Sequence, residues 1–274
     1  LLIFLLPMAI ILIQNDTGSA LVFLSFFLVL YREGLPGFIL ISAVWLMFLA
    51  ICRIVSEATG ISSYYGYGLL LGLGSIMVFF ARKDRGISGL ITFIAVVSAA
   101  FYTIVGTVYS SILQPYQRDR IELVLGLKSD DRGLGFNLRQ SKIAIGAGEM
   151  WGRGYLKGTQ TKMGFVPEQH TDFIFDTIGE EWGFVGAIVF LLIFCGLLTR
   201  IVILAERQST TFGRVLGYSL ACVLFFHLSI NIGMTIGLVP TIGIPLPFIS
   251  FGGSSLWAFT LFLFTFLRVD QVRK

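Results

Sequence analysis

From Gly183 to Thr199 the chain runs without a charged side chain, and similar runs lie at about 1–13, 17–31, 37–55, 66–81, 87–113, 215–239 and 252–267, where Arg53 is the only Asp, Glu, Lys or Arg. A helix that crosses a bilayer needs roughly 17 to 25 apolar residues. The pattern therefore predicts eight helices, some of them short. A transmembrane β-barrel needs strands that alternate apolar and polar residues, whereas Phe93–Val97 and Phe190–Leu198 run without alternation. Hydrophobic residues make up 55% of the chain, charged residues 13%, and the mean hydropathy is +0.85. Those values exclude an ordinary soluble domain. The expected fold is all-α: a polytopic helical integral membrane protein with a large extracytoplasmic loop between the fifth and sixth visible spans.

The net charge of +4 would suit nucleic acid in a soluble protein. In a membrane protein basic residues record topology instead, so no nucleic-acid partner is expected. Arg82-Lys83-Asp84-Arg85, the segment from Arg200 to Arg214, and the tail with Arg268, Arg273 and Lys274 mark cytoplasmic faces. Counting spans between them puts 114–182 outside and the C-terminus inside. Cys52, Cys195 and Cys222 show no paired spacing and read as core residues. The chain opens inside an apolar run with neither Met nor a basic leader, so it is expected to lack its native N-terminus.

The 114–182 segment holds 9 of the 20 Lys and Arg and 10 of the 16 Asp and Glu. Loops this long are usually functional or disordered, and its glycines and aromatics favour function. Gly146-Ala147-Gly148 and Gly152-Arg153-Gly154 flank Trp151. With Arg153 and Lys157 they form either a phosphate-approaching backbone or a plain glycine-rich turn. The run Phe165-Val166-Pro167-Glu168-Gln169-His170-Thr171-Asp172-Phe173-Ile174-Phe175 puts Glu168, His170 and Asp172 just before a span. Asp172 there can serve as a general base or as a helix cap. Asp176 and Glu180 follow at steps of four, so on one helix the three carboxylates would share a face, as a solvated acidic stripe or around a divalent cation. No G-x-S-x-G elbow accompanies His170, which argues against a serine hydrolase.

Elsewhere, His227 and Asn231 share one helical face and read as core hydrogen-bonding groups rather than catalysts. Pro240, Pro245 and Pro247 with Gly243, Gly252 and Gly253 break the last apolar stretch into a turn or re-entrant element. Gly68 and Gly72 form a G-x-x-x-G pair suited to close helix packing.

Five blocks in order carry a resemblance. They are Gln14-Asn15-Asp16-Thr17-Gly18, Gln140-Ser141-Lys142-Ile143-Ala144-Ile145-Gly146, Gly158-Thr159-Gln160, Val166 to Phe175, and Ile244-Pro245-Leu246-Pro247-Phe248-Ile249-Ser250-Phe251-Gly252-Gly253-Ser254. Together the chain resembles the SEDS family, which shapes, elongates and divides bacterial walls, and its RodA branch above the division paralogue FtsW. The resemblance implies one SEDS-type membrane domain over 1–274 that lacks its N-terminal helices, with 114–182 as its extracytoplasmic catalytic loop, in the bacterial cytoplasmic membrane. It implies an inverting peptidoglycan glycosyltransferase that polymerises lipid II, the donor being linked to undecaprenyl diphosphate. A class B penicillin-binding protein, a transpeptidase, is the implied partner within an elongation complex, with membrane lipid around them.

The family's motif aspartate corresponds to Asp172, the implied catalytic base. The leaving pyrophosphate needs positive charge, for which Arg120, Lys142, Arg153 and Lys157 are candidates, with Glu168 and His170 lining the substrate. No cofactor is fixed by the residues, and a divalent cation, Mg or Mn, can share that task. Broken helices around a polar cavity also suit a lipid II transporter, and a noncatalytic scaffold of the wall-synthesis complex is a third reading. The chain departs from the family at Asn15 (usually Pro), at Asp176 (often Ala) and over Leu123 to Asp131. It also carries four spans between the first block and the loop where two are expected, which suggests an inserted helical pair near Arg53 to Arg85.

Overall fold

The structure is a computed structural model that describes residues 2–14, 16–127, 134–166 and 168–272. Asn15, Pro167, the 128–131 part of the Leu123–Asp131 departure, and the tail cations Arg273 and Lys274 lie outside the described residues. The described residues form helices α1 (Leu2–Ile13), α2 (Thr17–Leu24), α3 (Phe26–Arg32), α4 (Gly37–Ala58), α5 (Tyr64–Ala81) and α6 (Arg85–Thr107), the last running into a π-helical turn, Val108–Ile112. Then come α7 (Pro115–Val124), α8 (Leu134–Ala147), α9 (Thr159–Lys162), α10 (Ile174–Glu206), α11 (Thr211–Thr235) and α12 (Gly253–Gln271). The caps follow the sequence. Asp16 accepts from the Ser19 amide at 3.0 Å, and hydrogen bonds from Ser19 hold its carboxyl below the usual range. Asp84 accepts from Gly86 and Ile87 at 2.9 and 3.2 Å, and the Thr210 hydroxyl from Gly213 at 3.2 Å.

The chain is a multi-pass, all-α membrane protein. Five helices are long and apolar enough to cross a membrane: Gly37–Ala58, Tyr64–Ala81, Arg85–Ile112, Ile174–Glu206 and Thr211–Thr235. Among the described residues, five of the eight expected runs thus form such helices. The run 1–13 forms α1 where the chain opens, and 17–31 forms α2 and α3, a shorter apolar stretch over Gly18–Arg32. The last helix, α12, forms over 19 residues but carries Arg268 and Asp270 near its end. In chain order residues 114–173 lie between the third and fourth of these five candidate spans, and 174–182 belong to the fourth.

Two compact units make up the chain: Pro36–Ser129, and Leu1–Leu35 together with Asp130–Lys274. In the first, α4, α5 and α6 pack around Leu49, Leu70 and Tyr102, and the Trp45 indole donates to the Ser98 hydroxyl at 3.0 Å. Arg53 is buried there, paired with Glu57 one turn on and 5.1 Å from the centre of the Tyr102 ring. Gly106 makes room for it, because a Cβ at that position would overlap the guanidinium.

In the other unit α10, α11 and α12 share a core built from Ile201, Leu204, Leu220, Leu224 and Phe266. At one end Arg32 pairs with Glu206 at 2.9 Å and Arg214 with Glu33 at 2.8 Å, so charges tie α3 to α10 and α11. Helix α10 breaks at Gly183, whose φ of 64° and ψ of −163° are non-helical. A break inside a span strands backbone groups that lipid cannot satisfy, and the 148–154 loop satisfies them. The amides of Arg153 and Gly154 donate to the carbonyls of Glu180 and Glu181 at 3.0 and 2.9 Å, while the amides of Phe184 and Val185 donate to Glu149 and Met150 at 2.9 and 3.1 Å. Side chains would prevent that approach. A Cβ on Gly148 would strike the Gly179 carbonyl, and one on Gly152 the Glu181 carbonyl. These glycines thus serve the repair of a helix break, the plainer of the two roles their spacing allowed.

Candidate active site

The turn before α10 is organised around one carbonyl. Glu168 O accepts from the amides of Thr171, Asp172 and Phe173 at 3.2, 3.1 and 3.2 Å, and from the Thr171 hydroxyl at 3.2 Å. Glu168 itself sits at φ 54°, a left-handed conformation that costs energy for a non-glycine residue and persists when its surroundings fix it. Its carboxylate lies 3.1 Å from the same Thr171 hydroxyl and is the alternative acceptor for that one hydrogen. His170 is exposed, with Nε2 3.3 Å from the Gln169 amide nitrogen.

This turn is stapled to the proline-rich segment after α11. Ser250 Oγ donates to the Thr171 carbonyl at 2.6 Å and accepts from the Leu246 amide at 2.8 Å. The Phe251 amide donates to the His170 carbonyl at 2.7 Å. From α11, Asn231 is fully buried and its Nδ2 donates to the carbonyls of Asp172 and Ile244 at 2.9 and 2.8 Å. Asn231 is therefore a core hydrogen-bonding group, and its bond fixes the backbone of Asp172. Its partner on the helical face, His227, donates from Nδ1 to the Val223 carbonyl at 2.8 Å and meets Phe259 edge-on.

The half-buried Asp172 carboxylate faces Gly243, where a Cβ would stand 3.3 Å from Oδ2. Gly243 has φ 79°, so both its conformation and its neighbour call for glycine. Six residues earlier Gly237 abuts the Lys142 side chain, which a Cβ there would overlap. Asp172 and Lys142 thus flank opposite ends of the 237–243 segment. The Gln14 block joins the same place, since a Cβ on Gly18 would stand 3.1 Å from Ile242. Blocks far apart in sequence converge on one segment, which no local pattern reveals.

The other candidates are arranged differently. Arg153 directs Nε to the Ala147 carbonyl at 3.0 Å and Nη1 to Thr159 Oγ1 at 2.9 Å, bracing the loop that repairs α10. Lys157 is exposed and lies against Gly154. Arg120 belongs to α7 in the Pro36–Ser129 unit, 5.7 Å from the centre of the Tyr116 ring.

The three carboxylates expected on one helical face do not form a solvated stripe. The helix begins at Ile174, so Asp172 lies in the turn outside it, and Asp176 and Glu180 are both fully buried. Glu180 is enclosed by the first turn of α9. Its Oε1 accepts from the amides of Thr159 and Gln160 at 2.7 and 2.8 Å and from the Thr159 hydroxyl at 3.2 Å. Its Oε2 accepts from the amide and hydroxyl of Thr161 at 2.9 and 2.8 Å. Gly158 leaves the room, because a Cβ there would stand 2.7 Å from Oε2. Among the described residues no group of three or more His, Cys, Asp or Glu is placed to hold a metal ion, so these side chains do not by themselves build a cage for Mg or Mn.

Asp176 bridges elements instead. Ser141 Oγ on α8 lies 2.8 Å from Asp176 Oδ1 and 2.7 Å from the Thr235 carbonyl at the end of α11. One hydroxyl hydrogen cannot serve both acceptors. An amide at 176 satisfies both contacts, with Nδ2 donating to Ser141 and Ser141 donating to Thr235. Asp176→Asn is accordingly expected to leave the midpoint of thermal unfolding within the equivalent of about 1 kcal/mol of wild type or to raise it. A clear loss of stability in detergent would show that the carboxyl group itself, and not only a hydrogen-bonding contact to Ser141, is needed.

Residues 63–274 match a family described as a cell cycle protein, that of FtsW, RodA and SpoVE. The chain is 40% identical over 191 residues to the peptidoglycan glycosyltransferase MrdB of Escherichia coli strain K12, a match covering 70% of the chain and 50% of that relative. It is 32% identical over 274 residues to the peptidoglycan glycosyltransferase RodA of Treponema pallidum strain Nichols, covering 92% of the chain and 63% of that relative. The chain thus spans between half and two thirds of the length of these relatives. Among solved structures it is similar, at 30% identity and a TM-score of 0.51 over 74% of the chain and 54% of the other, to a chain in a structure described as the structural coordination of polymerization and crosslinking by a peptidoglycan synthase complex.

Proposed function

The chain belongs to the cell cycle protein family of FtsW, RodA and SpoVE, and from that premise we propose that it is a RodA-like peptidoglycan glycosyltransferase, polymerising lipid II into glycan strands during cell elongation. The observation that carries this reading is the fixed turn at Asp172, held through the backbone by Asn231, Ser250 and Phe251 beside a segment that Lys142 also touches. A carboxylate and a cation on either side of one segment suit a reaction that needs a base and an electrophilic partner.

In that reaction Asp172 takes the proton of an acceptor sugar hydroxyl as the oxygen attacks the anomeric carbon of the donor. The bond from that carbon to the lipid diphosphate breaks, and the leaving group departs as an undecaprenyl diphosphate with its charge on oxygen. Lys142, exposed at Gly237, stabilises that charge, with Lys157 as a further cation and Glu168 and His170 lining the sugar. Arg153 contributes by holding the loop, given the two bonds it makes there. One displacement inverts the anomeric centre without a covalent glycosyl-enzyme.

The reading places the protein in the bacterial cytoplasmic membrane, with 114–182 outside and the C-terminus in the cytoplasm, as the basic segments 82–85 and 200–214 imply. The similarity to a chain of a peptidoglycan synthase complex supports a class B penicillin-binding protein as partner. Reconstitution of the full-length protein with lipid II, with and without that transpeptidase, tests the reading directly. Glycan strands are the expected product. Movement of lipid II across the bilayer without polymer, from folded protein with its partner present, would instead establish a transporter.

A further inference from the structure

We infer that the end of α10 and α12 remote from Asp172 is a binding site for an anionic phospholipid, with its phosphodiester on Arg200 and Arg268 and its chain on Leu204 and Phe264. A groove of about 630 Å³ lies there, lined by these four side chains together with Arg207 and Asp270. That size falls within the usual range for small-ligand pockets. Three guanidiniums face a single carboxylate, and the carboxylate is already engaged. Arg207 Nε donates to Asp270 Oδ1 at 3.2 Å, and Gln208 Nε2 donates to the same oxygen at 2.7 Å. Among the described residues Arg268 makes one bond, from Nη1 to Gln271 at 3.2 Å. Arg200 is exposed and has no hydrogen-bond or ion-pair partner among the described residues. Two positive charges therefore remain over the groove.

The rest of the lining selects a lipid over a soluble anion. Phe264 is 62% exposed beside these cations, an apolar surface that a free phosphate cannot cover and an acyl chain can. Arg200 lies within the last two turns of the span Ile174–Glu206, where a long side chain reaches the head-group level while its stem stays among apolar residues. Basic pockets between spans at the cytoplasmic surface are suited to lipid phosphates, each cation near the surface contributing several-fold in affinity. The site is independent of the glycosyltransfer reading, since nothing in it touches Asp172, Lys142 or the 237–243 segment.

Native mass spectrometry of the full chain, released from detergent with cardiolipin or phosphatidylcholine, measures the site without reference to activity. Wild type is expected to retain cardiolipin in preference to phosphatidylcholine. The double variant Arg200→Ala/Arg268→Ala is expected to bind cardiolipin roughly thirtyfold more weakly. Arg200→Lys/Arg268→Lys, which keeps both charges and guards against misfolding as the cause, should lose far less. Inorganic phosphate at millimolar concentration should not displace the lipid. Equal retention of the two lipids, an unchanged affinity in the double alanine variant, an equal loss in Arg82→Ala/Lys83→Ala at another basic turn, or displacement by free phosphate would each overturn the proposal.

Discussion

Asp172→Asn is expected to reduce lipid II polymerisation by about 10²- to 10⁴-fold, the range typical for removing a general base, while leaving the protein folded. The second half of that expectation is the informative one. The turn is held by bonds to the carbonyls of Glu168, His170, Thr171 and Asp172, all backbone atoms that an asparagine at 172 retains. A loss of polymer without a loss of stability would then place the carboxylate in the chemistry and not in holding the loop. Polymer yield from reconstituted full-length protein, scored against the midpoint of thermal unfolding, separates the two. An asparagine variant that polymerises at the wild-type rate removes Asp172 as the base. A variant that loses activity together with several degrees of stability would assign the carboxylate a role in holding the turn.

How much of this was legible in the chain depends on the distance over which each feature is written. The apolar runs are local, so the five spans and the all-α class follow from them. The three other expected runs, 1–13, 17–31 and 252–267, form helices that are shorter or that take in charged residues near one end. Gly183 was readable as the start of an apolar run, and the uninterrupted helix does resume after it. That it marks a break rather than a beginning depends on amides from Arg153 and Gly154 reaching across from another part of the chain. The candidate site was legible by residue type at Asp172 and Lys142. Their arrangement about the 237–243 segment was not, because it is set by Gly237, Gly243 and Asn231 on a different element. Ser250 was visible only as part of a motif, and its bonds to Thr171 and Leu246 supply the physical reason for the residue.

Glu180→Ala should be the most damaging single change to the fold outside the apolar core. Its carboxylate accepts from three successive amides and two hydroxyls of the Thr159–Thr161 turn, and it is fully buried. Hydrogen bonds to a charged group contribute roughly 1.5–3 kcal/mol each, and buried donors left without an acceptor are costly. Because the donors share one carboxylate their contributions do not add, and a total of about 3–5 kcal/mol is expected, as for the loss of one partner of a buried pair. Glu180→Gln distinguishes charge from shape. Its amide offers one acceptor oxygen and puts an NH₂ against the donors of either Thr159 and Gln160 or Thr161, so it should be nearly as destabilising as alanine despite its fit. Hydrogen exchange at residues 159–161, with thermal unfolding in detergent, reads this directly. A glutamine variant with wild-type protection at those amides would mean that the turn holds itself, and that Glu180 merely fills a space which Gly158 leaves open.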